Sequence, residues 1–298
     1  MNIRTSNFIT AEKFIKETIE RNGFSAVIGE KGTGKSHTMR QVIGAYEQKG
    51  GYSVITITPM DEKVKNITQI MSAMIEDISG ESPRRDVESR RRQLRRILGD
   101  SHSKIILSID ESQDLHKSTL RGLKKIHELG FGTKDKLFSI LLFGQESLKD
   151  RISDDELKPR IRRHHMKGLT DKEKMEFIDE SLFNDKSLSV FLKRTRKTPL
   201  SVITAHDELL AIRDDLGRKK IDEQIVNDYF FSDTREMLLS LNESYKKISD
   251  GLFESTGERV SPSAICQYVK GTYAGKNERL DGLLSAYATE KQSSISER

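Results

Sequence analysis

Apolar positions recur along this chain with two distinct rhythms. Phe14, Ile15, Thr18 and Ile19 fall near helical spacing over residues 11–21, and Asn22-Gly23 stops the pattern. Met39, Val42, Ile43 and Tyr46 stand at i, i+3, i+4 and i+7, and Gly50-Gly51 ends that stripe. Ile67, Ile70, Met71, Met74, Ile75 and Ile78 form a third stripe, and residues 118–129 a further one closed by Gly130. Between these helices lie short runs of apolar and β-branched residues at 24–28, 52–58, 105–109 and 138–145. Runs of that length without polar alternation predict strands buried on both faces. Strands alternating with helices predict an α/β fold with a parallel sheet flanked by helices.

Beyond residue 170 the strand signals stop. The pattern is helical over 171–183 and 187–217, the second carrying Leu188, Phe191, Leu192, Val202, Ile203, Leu209 and Leu210 with a break at Thr198-Pro199, and these segments are expected to form a lid. Met237, Leu238, Leu241, Tyr245 and Ile248 predict one helix, and residues 251–256 a second that Gly257 ends. Ser261-Pro262 starts another, a capping serine with proline at the first helical position, with Ile265 and Val269 inward. After Gly271, Leu280, Leu283, Leu284 and Tyr287 mark the last. The expected division is an α/β core at 1–170, a helical lid and connector at 171–232, a small all-helical domain at 233–290 and a disordered tail at 291–298.

Composition narrows this picture modestly. The chain of 298 residues is 33% charged and 35% hydrophobic, suited to a globular core with large solvated faces. No apolar run approaches the roughly 20 residues of a membrane-spanning helix, and residues 1–10 lack a signal-peptide pattern. The expected compartment is therefore the cytoplasm, with no membrane partner. The single cysteine, Cys266, forms no internal disulfide, and no zinc cluster is visible. A net charge of +5 tilts the expectation toward a polyanionic partner.

The chemistry concentrates after the first strand. Gly29-Glu30-Lys31-Gly32-Thr33-Gly34-Lys35-Ser36 reproduces the spacing of a phosphate-binding loop, whose N–H groups and following helix N-terminus wrap phosphates. Residues 29–36 and the adjoining His37 are the expected ATP contacts, Lys35 reaching the β- and γ-phosphates and Ser36 ligating Mg²⁺. The third strand runs into Asp110-Glu111, where Asp110 is the expected second metal residue and Glu111 the general base for water. Gln145 ends the fourth strand and lands beside Asp110 if the two strands are neighbours, the place of a γ-phosphate sensor. Arg160, with Arg162 as second choice, is the expected residue that stabilises a neighbouring subunit's transferring phosphoryl group.

Two stretches suit DNA. Arg90, Arg91, Arg92, Arg95 and Arg96 crowd one predicted helix with few acidic partners, while Val87, Leu94, Ile97 and Leu98 supply its buried edge. Phosphate-backbone contact and an ordinary solvated face both fit that run. The C-terminal helices suggest a helix-turn-helix unit whose Ser263, Gln267 and Lys270 face DNA, and a helical bundle for protein contacts is the alternative.

With these motifs in this order, residues up to about 217 resemble the AAA+ ATPases of DNA transposition, the group of MuB, TnsC and ExeA. Asp110-Glu111-Ser112-Gln113-Asp114-Leu115 and Leu142-Phe143-Gly144-Gln145-Glu146-Ser147-Leu148 carry that resemblance. Ile265 to Val269 and Tyr273 to Leu280 look like the repressor-type helix-turn-helix that MuB bears at its other end. Where the group often has Gly-x-Pro-Arg, this chain reads Lys197-Thr198-Pro199-Leu200, with Arg194 and Arg196 as the nearest substitutes. The resemblance implies ATP and Mg²⁺ held between subunits of a ring or helical filament on double-stranded DNA, and a recruited DDE (retroviral-integrase-like) transposase. A signalling or secretion ATPase of ExeA type and an initiator-like DNA loader remain alternatives.

Overall fold

The computed structural model describes residues 3–58, 66–241, 243–270, 272–273 and 277–296. The expected breaker Gly271 and the Ala274-Gly275-Lys276 part of the C-terminal resemblance lie outside them. By compactness the chain divides into one unit of Met1–Ile178 with Arg196–Ile203, and a second of Asp179–Thr195 with Thr204–Arg298.

In the first unit, strands β1 (Phe24–Ile28), β2 (Tyr52–Ile57), β3 (Lys104–Ile109), β4 (Phe138–Gly144) and β5 (Arg162–His165) form one sheet in the order β2-β3-β4-β1-β5. All pairings are parallel, with Ile109 opposite Leu142 and Ile28 opposite Gly144. The two-residue period of a strand separates the core into two layers. Ile105, Leu107, Ile109, Ile140 and Leu142 point to one face, where α3 (Ile67–Ser79), α4 (Val87–Asp100) and α5 (Lys117–His127) cover them. Ile106, Leu141, Phe143 and Val27 point to the other, under α1 (Ser6–Glu20) and α2 (Lys35–Glu47). Because every strand is parallel, the loops after β1, β3 and β4 emerge on a single edge.

Three local differences from the sequence expectation have identifiable causes. α1 begins at Ser6 instead of near residue 11, because the Thr5 side chain accepts from the Phe8 amide and caps the helix there. Val87 is exposed, since it is the first helical residue after the Asp86 cap, while Leu94, Ile97 and Leu98 are buried. β5 adds an edge strand from Arg162-Arg163-His164-His165, too polar to announce itself and, being charged, a poor template for further pairing.

The second unit is helical. It contains α8 (Asp185–Arg194), α10 (Glu223–Ser240), α11 (Tyr245–Thr256), α12 (Pro262–Val269) and α13 (Asn277–Ser296), and most of α9 (Pro199–Asp215); the short α6 (Ser147–Arg151) and α7 (Asp171–Met175) belong to the first. The single helix expected across 237–248 is two, because the Ser244 side chain accepts from the Lys247 amide and starts α11 afresh. Residues 251–256 are the second half of α11, where Gly251 leaves room for the Tyr287 ring; an added Cβ would stand 2.7 Å from the Tyr287 hydroxyl. Leu238, Ile248, Leu252, Ile265, Tyr268, Leu280 and Leu284 form this unit's own core. α13 continues through residues 291–296, where a disordered tail was the expectation; no Pro or Gly interrupts it after Gly282.

Candidate functional site

The edge of the sheet collects every residue of the nucleotide motif. β1 ends at Ile28, and the chain turns through Gly29–Gly34 into α2, with Gly32 at φ 84° and Gly34 at φ 92°, conformations that L side chains rarely adopt. Gly29 is required by space instead, since an added Cβ would lie 3.0 Å from Thr33 Oγ1 and 3.1 Å from the Met166 carbonyl oxygen. The Thr33 hydroxyl donates to the Glu30 carbonyl at 2.8 Å and closes the turn. Glu30 and Lys31 are exposed on its rim.

Lys35 is the centre of the loop. Its side chain is 8% exposed, and Nζ donates to the carbonyl oxygens of Gly29 at 2.8 Å and Glu30 at 2.7 Å. Burial lowers its pKa from the usual lysine value, while the carboxylates of Glu111, Asp110 and Glu146 pull the other way. The ammonium and the loop N–H groups suit phosphate, and the carboxylates suit a divalent cation bound together with it. Ser36 is half-buried in the first turn of α2, and the exposed His37 turns its ring toward Phe8 of α1, 6.2 Å between centroids.

β3 and β4 are neighbours, so Asp110 and Gln145 leave adjacent parallel strands on the same edge. Asp110 is 9% exposed, its amide donating to the Ile57 carbonyl at 3.0 Å and its Oδ1 accepting from the Glu111 amide at 2.9 Å. Glu111 sits in the left-handed region at φ 45°, which turns its side chain at the strand end. Gln113, only a letter of the motif in the sequence, is a structural link in the fold. Its Nε2 donates to Glu111 Oε2 at 2.6 Å, and its Oε1 accepts from the Gln145 amide at 3.0 Å. Its position two residues after the acidic pair was the one available signal. The guanidinium of Arg151 donates to the Leu115 carbonyl at 2.8 Å and secures the end of this loop.

These residues suit a nucleotide with Mg²⁺. The glycine cradle leaves backbone N–H groups for phosphates, and Ser36 and Asp110 are the hard oxygen donors that Mg²⁺ prefers together with phosphate and water. Among the described residues, no group of three or more His, Cys, Asp and Glu side chains could hold a metal ion by itself.

The other predicted residues stand elsewhere. Arg160 is exposed and paired with Glu128 at 2.9 Å, two residues before β5 and so at the opposite edge of the sheet. Arg162 pairs with Glu17 at 3.3 Å and covers the Phe14 ring. Leu200 occupies the place where the resemblance has arginine; it packs on the tip of the phosphate loop, 3.0 Å from where a Gly32 Cβ would be. Arg194 is engaged inside the second unit, donating to Asp281 at 2.7 Å, and Asp281 also accepts from the buried Tyr268 hydroxyl. On α4, Arg90 donates to the carbonyls of Arg84, Thr68 and Arg85 at 2.9, 3.3 and 3.4 Å, and Arg96 is held by Glu81 at 2.5 and 2.7 Å. Arg91, Arg92 and Arg95 are exposed. Ser263, Gln267 and Lys270 are exposed along α12.

Comparison with known proteins agrees with this geometry. Residues 18–152 match the family model described as the AAA domain. No curated protein sequence matches the chain. Among solved structures, the fold is similar to Aeropyrum pernix ORC2 in its ADP form, with TM-score 0.54, 13% identity, and 98% of this chain and 95% of that one covered. It is similar to Cdc6p from Pyrobaculum aerophilum at TM-score 0.53 and 15% identity, covering 97% and 94%. Drosophila ORC bound to DNA gives TM-score 0.53 and 13% identity, covering 95% of this chain and 78% of that one. At these identities the likeness is one of fold. The N-terminal part of the chain is thus similar to the AAA domain in sequence, and its five-stranded parallel sheet flanked by helices matches the architecture of AAA+ P-loop ATPases.

Proposed function

We propose that this protein is an ATPase whose nucleotide state controls its grip on double-stranded DNA, and that it selects target DNA and recruits a transposase of the DDE type. The observation that carries the nucleotide half is the buried Lys35 ammonium on the carbonyls of Gly29 and Glu30, facing the carboxylates of Glu111 and Asp110. In this reading Lys35 and the loop amides bind the β- and γ-phosphates, and Ser36 and Asp110 hold Mg²⁺, which supplies charge neutralisation on the phosphoryl oxygens. Glu111 accepts the proton of the attacking water, and Gln145 positions that water or the γ-phosphate. Arg160, remote from its own subunit's phosphate loop, acts in trans on a neighbour's nucleotide in a ring or helical filament.

The DNA half rests on the exposed Arg91, Arg92 and Arg95 and on Ser263, Gln267 and Lys270 of a helix-turn-helix formed by α11 and α12. Binding through phosphates gives little sequence preference and strong salt dependence. The experiment is retention of random duplex DNA with ATP, with ADP and without nucleotide, beside Lys35→Ala. ATP is expected to tighten binding and Lys35→Ala to behave as if no nucleotide were present; equal affinity in all three states rejects the reading. A second reading, an initiator-like loader, draws on the likeness in fold along nearly the whole of ORC2 and Cdc6p. It requires preference for an origin-like sequence over random duplex in the same assay.

A further inference from the structure

A bridge between two ends of the sheet edge stands out once the motif residues are in place. Gln113 lies in the short 3-10 turn Ser112–Asp114, is 9% exposed, and uses both ends of its amide. Nε2 donates to Glu111 Oε2 at 2.6 Å, a charge-assisted bond, and Oε1 accepts from the backbone N–H of Gln145 at 3.0 Å. The approach depends on Gly144, since a Cβ there would stand 2.9 Å from Gln113 Oε1 and 3.3 Å from its backbone nitrogen. The turn itself is anchored by the Ser112 hydroxyl on the Ile109 carbonyl at 2.8 Å. Of the three carboxylates that oppose the lowering of the Lys35 pKa by burial, Glu111 exerts the largest pull.

We propose that Gln113 is a positioning residue that aims the Glu111 carboxylate at the phosphate site and ties that aim to the end of β4 at Gln145. The proposal rests on the reading of Glu111 as general base. A free glutamate side chain samples several rotamers, and the water-activating one is a fraction of them. Gln113 selects one, and because its other end holds the Gln145 amide, a shift of the β4 terminus on contact with the γ-phosphate is passed to the base through a single rigid amide. Glutamine supplies an uncharged donor and acceptor at the two ends of one planar amide, and asparagine, with the same amide, is one methylene shorter.

The test uses the full chain with duplex DNA present, measuring steady-state kcat and KM for ATP, affinity for a fluorescent ATP analogue, and thermal melting. Gln113→Met fills the volume and loses both bonds; Gln113→Glu keeps an acceptor for the Gln145 amide and loses the donor to Glu111. Both are expected to lower kcat about tenfold or more while nucleotide affinity moves less than about threefold. Added to Glu111→Gln, Gln113→Met should cost nothing further, because the carboxylate it positions is already gone. Gln113→Glu at wild-type kcat overturns the proposal, as does Gln113→Met lowering turnover equally in both backgrounds. Should Gln113→Met fail to fold, Gln113→Glu decides alone. A wild-type chain that binds ATP and never hydrolyses it overturns the reading of Glu111 first and the proposal with it, an outcome distinct from a hydrolysing wild type with indifferent Gln113 variants.

Discussion

Glu111 combines two unusual features, a left-handed backbone at φ 45° and a carboxylate held by its neighbour Gln113. Non-glycine residues pay roughly 1–3 kcal/mol for such backbone geometry, and sites that persist in it are fixed by surrounding bonds. Here the fixing bonds are the Glu111 amide on Asp110 Oδ1 and the Gln113 amide on Oε2. Asp110 and Glu111 thereby hold separate partners from adjacent positions, the Asp110 amide on the Ile57 carbonyl and the Glu111 carboxylate on Gln113. Glu111→Gln preserves the shape and the accepting oxygen while removing proton acceptance. ATP binding should change little, and single-turnover hydrolysis should fall about hundredfold or more. Normal turnover by Glu111→Gln would remove it from the role of base.

At the scale of elements, the start of α1 is clasped to the chain after β5. Asn7 exchanges two hydrogen bonds with the backbone of Lys167, at 2.7 and 2.9 Å. Glu173 accepts from the Ser6 amide at 3.0 Å, the Ser6 hydroxyl at 2.6 Å, and the Thr170 amide and hydroxyl, both at 2.9 Å. Burial opposes ionisation of Glu173, yet these bonds outweigh it and bring its pKa from the ordinary 4.5 down to about 2. A carboxylate with a depressed native pKa adds stability above its unfolded value, and that stability is lost as pH falls from 4.5 toward about 2. After solvent screening the contribution is on the order of 1 kcal/mol. Glu173→Gln should therefore melt about 2 °C lower than wild type at pH 7, with the gap shrinking at pH 3. A gap of constant size at both pH values would show that the charge is not what the clasp uses. None of this was legible beforehand, because the clasp joins residues 167 positions apart. The three central strands β1, β3 and β4 were legible for the opposite reason: burial on both faces leaves an apolar run that needs no partner to be read. β5 escaped because its Arg and His residues carry no such run. The helix expected over 237–248 was misjoined because its apolar spacing continues across the Ser244 cap. The phosphate loop and Asp110-Glu111 are local motifs and were legible as such, whereas the bridge through Gln113 needs β4 alongside and Gly144 bare.

For the whole molecule, the net charge of +5 says little until the arginines are sorted by what they already hold. Arg90 spends its donors on three backbone carbonyls and stitches the entry of α4 to Thr68 of α3. Arg96 lies against both oxygens of Glu81. Among the described residues, Arg91 and Arg92 pair with Glu88, each at 3.4 Å on an exposed surface, where such pairs are worth little. Arg95 gives its Nε to the Gly130 carbonyl at 2.6 Å, and with Arg91, Arg92 and Lys134 it lines a shallow groove beside α4. A duplex laid on this face would displace the weak Glu88 contacts of Arg91 and Arg92 and meet the terminal nitrogens of Arg95 without breaking its Nε bond, whereas Arg90 has all three guanidinium nitrogens on backbone carbonyls and Arg96 holds both oxygens of Glu81. Each phosphate contact contributes close to −0.9 to the slope of log affinity against log salt, so replacing all three of Arg91, Arg92 and Arg95 by alanine should flatten that slope by about 2.7. Arg90→Ala should leave the slope as it is and lower the melting temperature instead, since it deprives the turn at residues 84–85 of its donor. Filter retention of random duplex across a salt series, in ATP, distinguishes the two. An unchanged slope in the triple variant would move the DNA contact away from α4 and leave α12 as the remaining surface to examine.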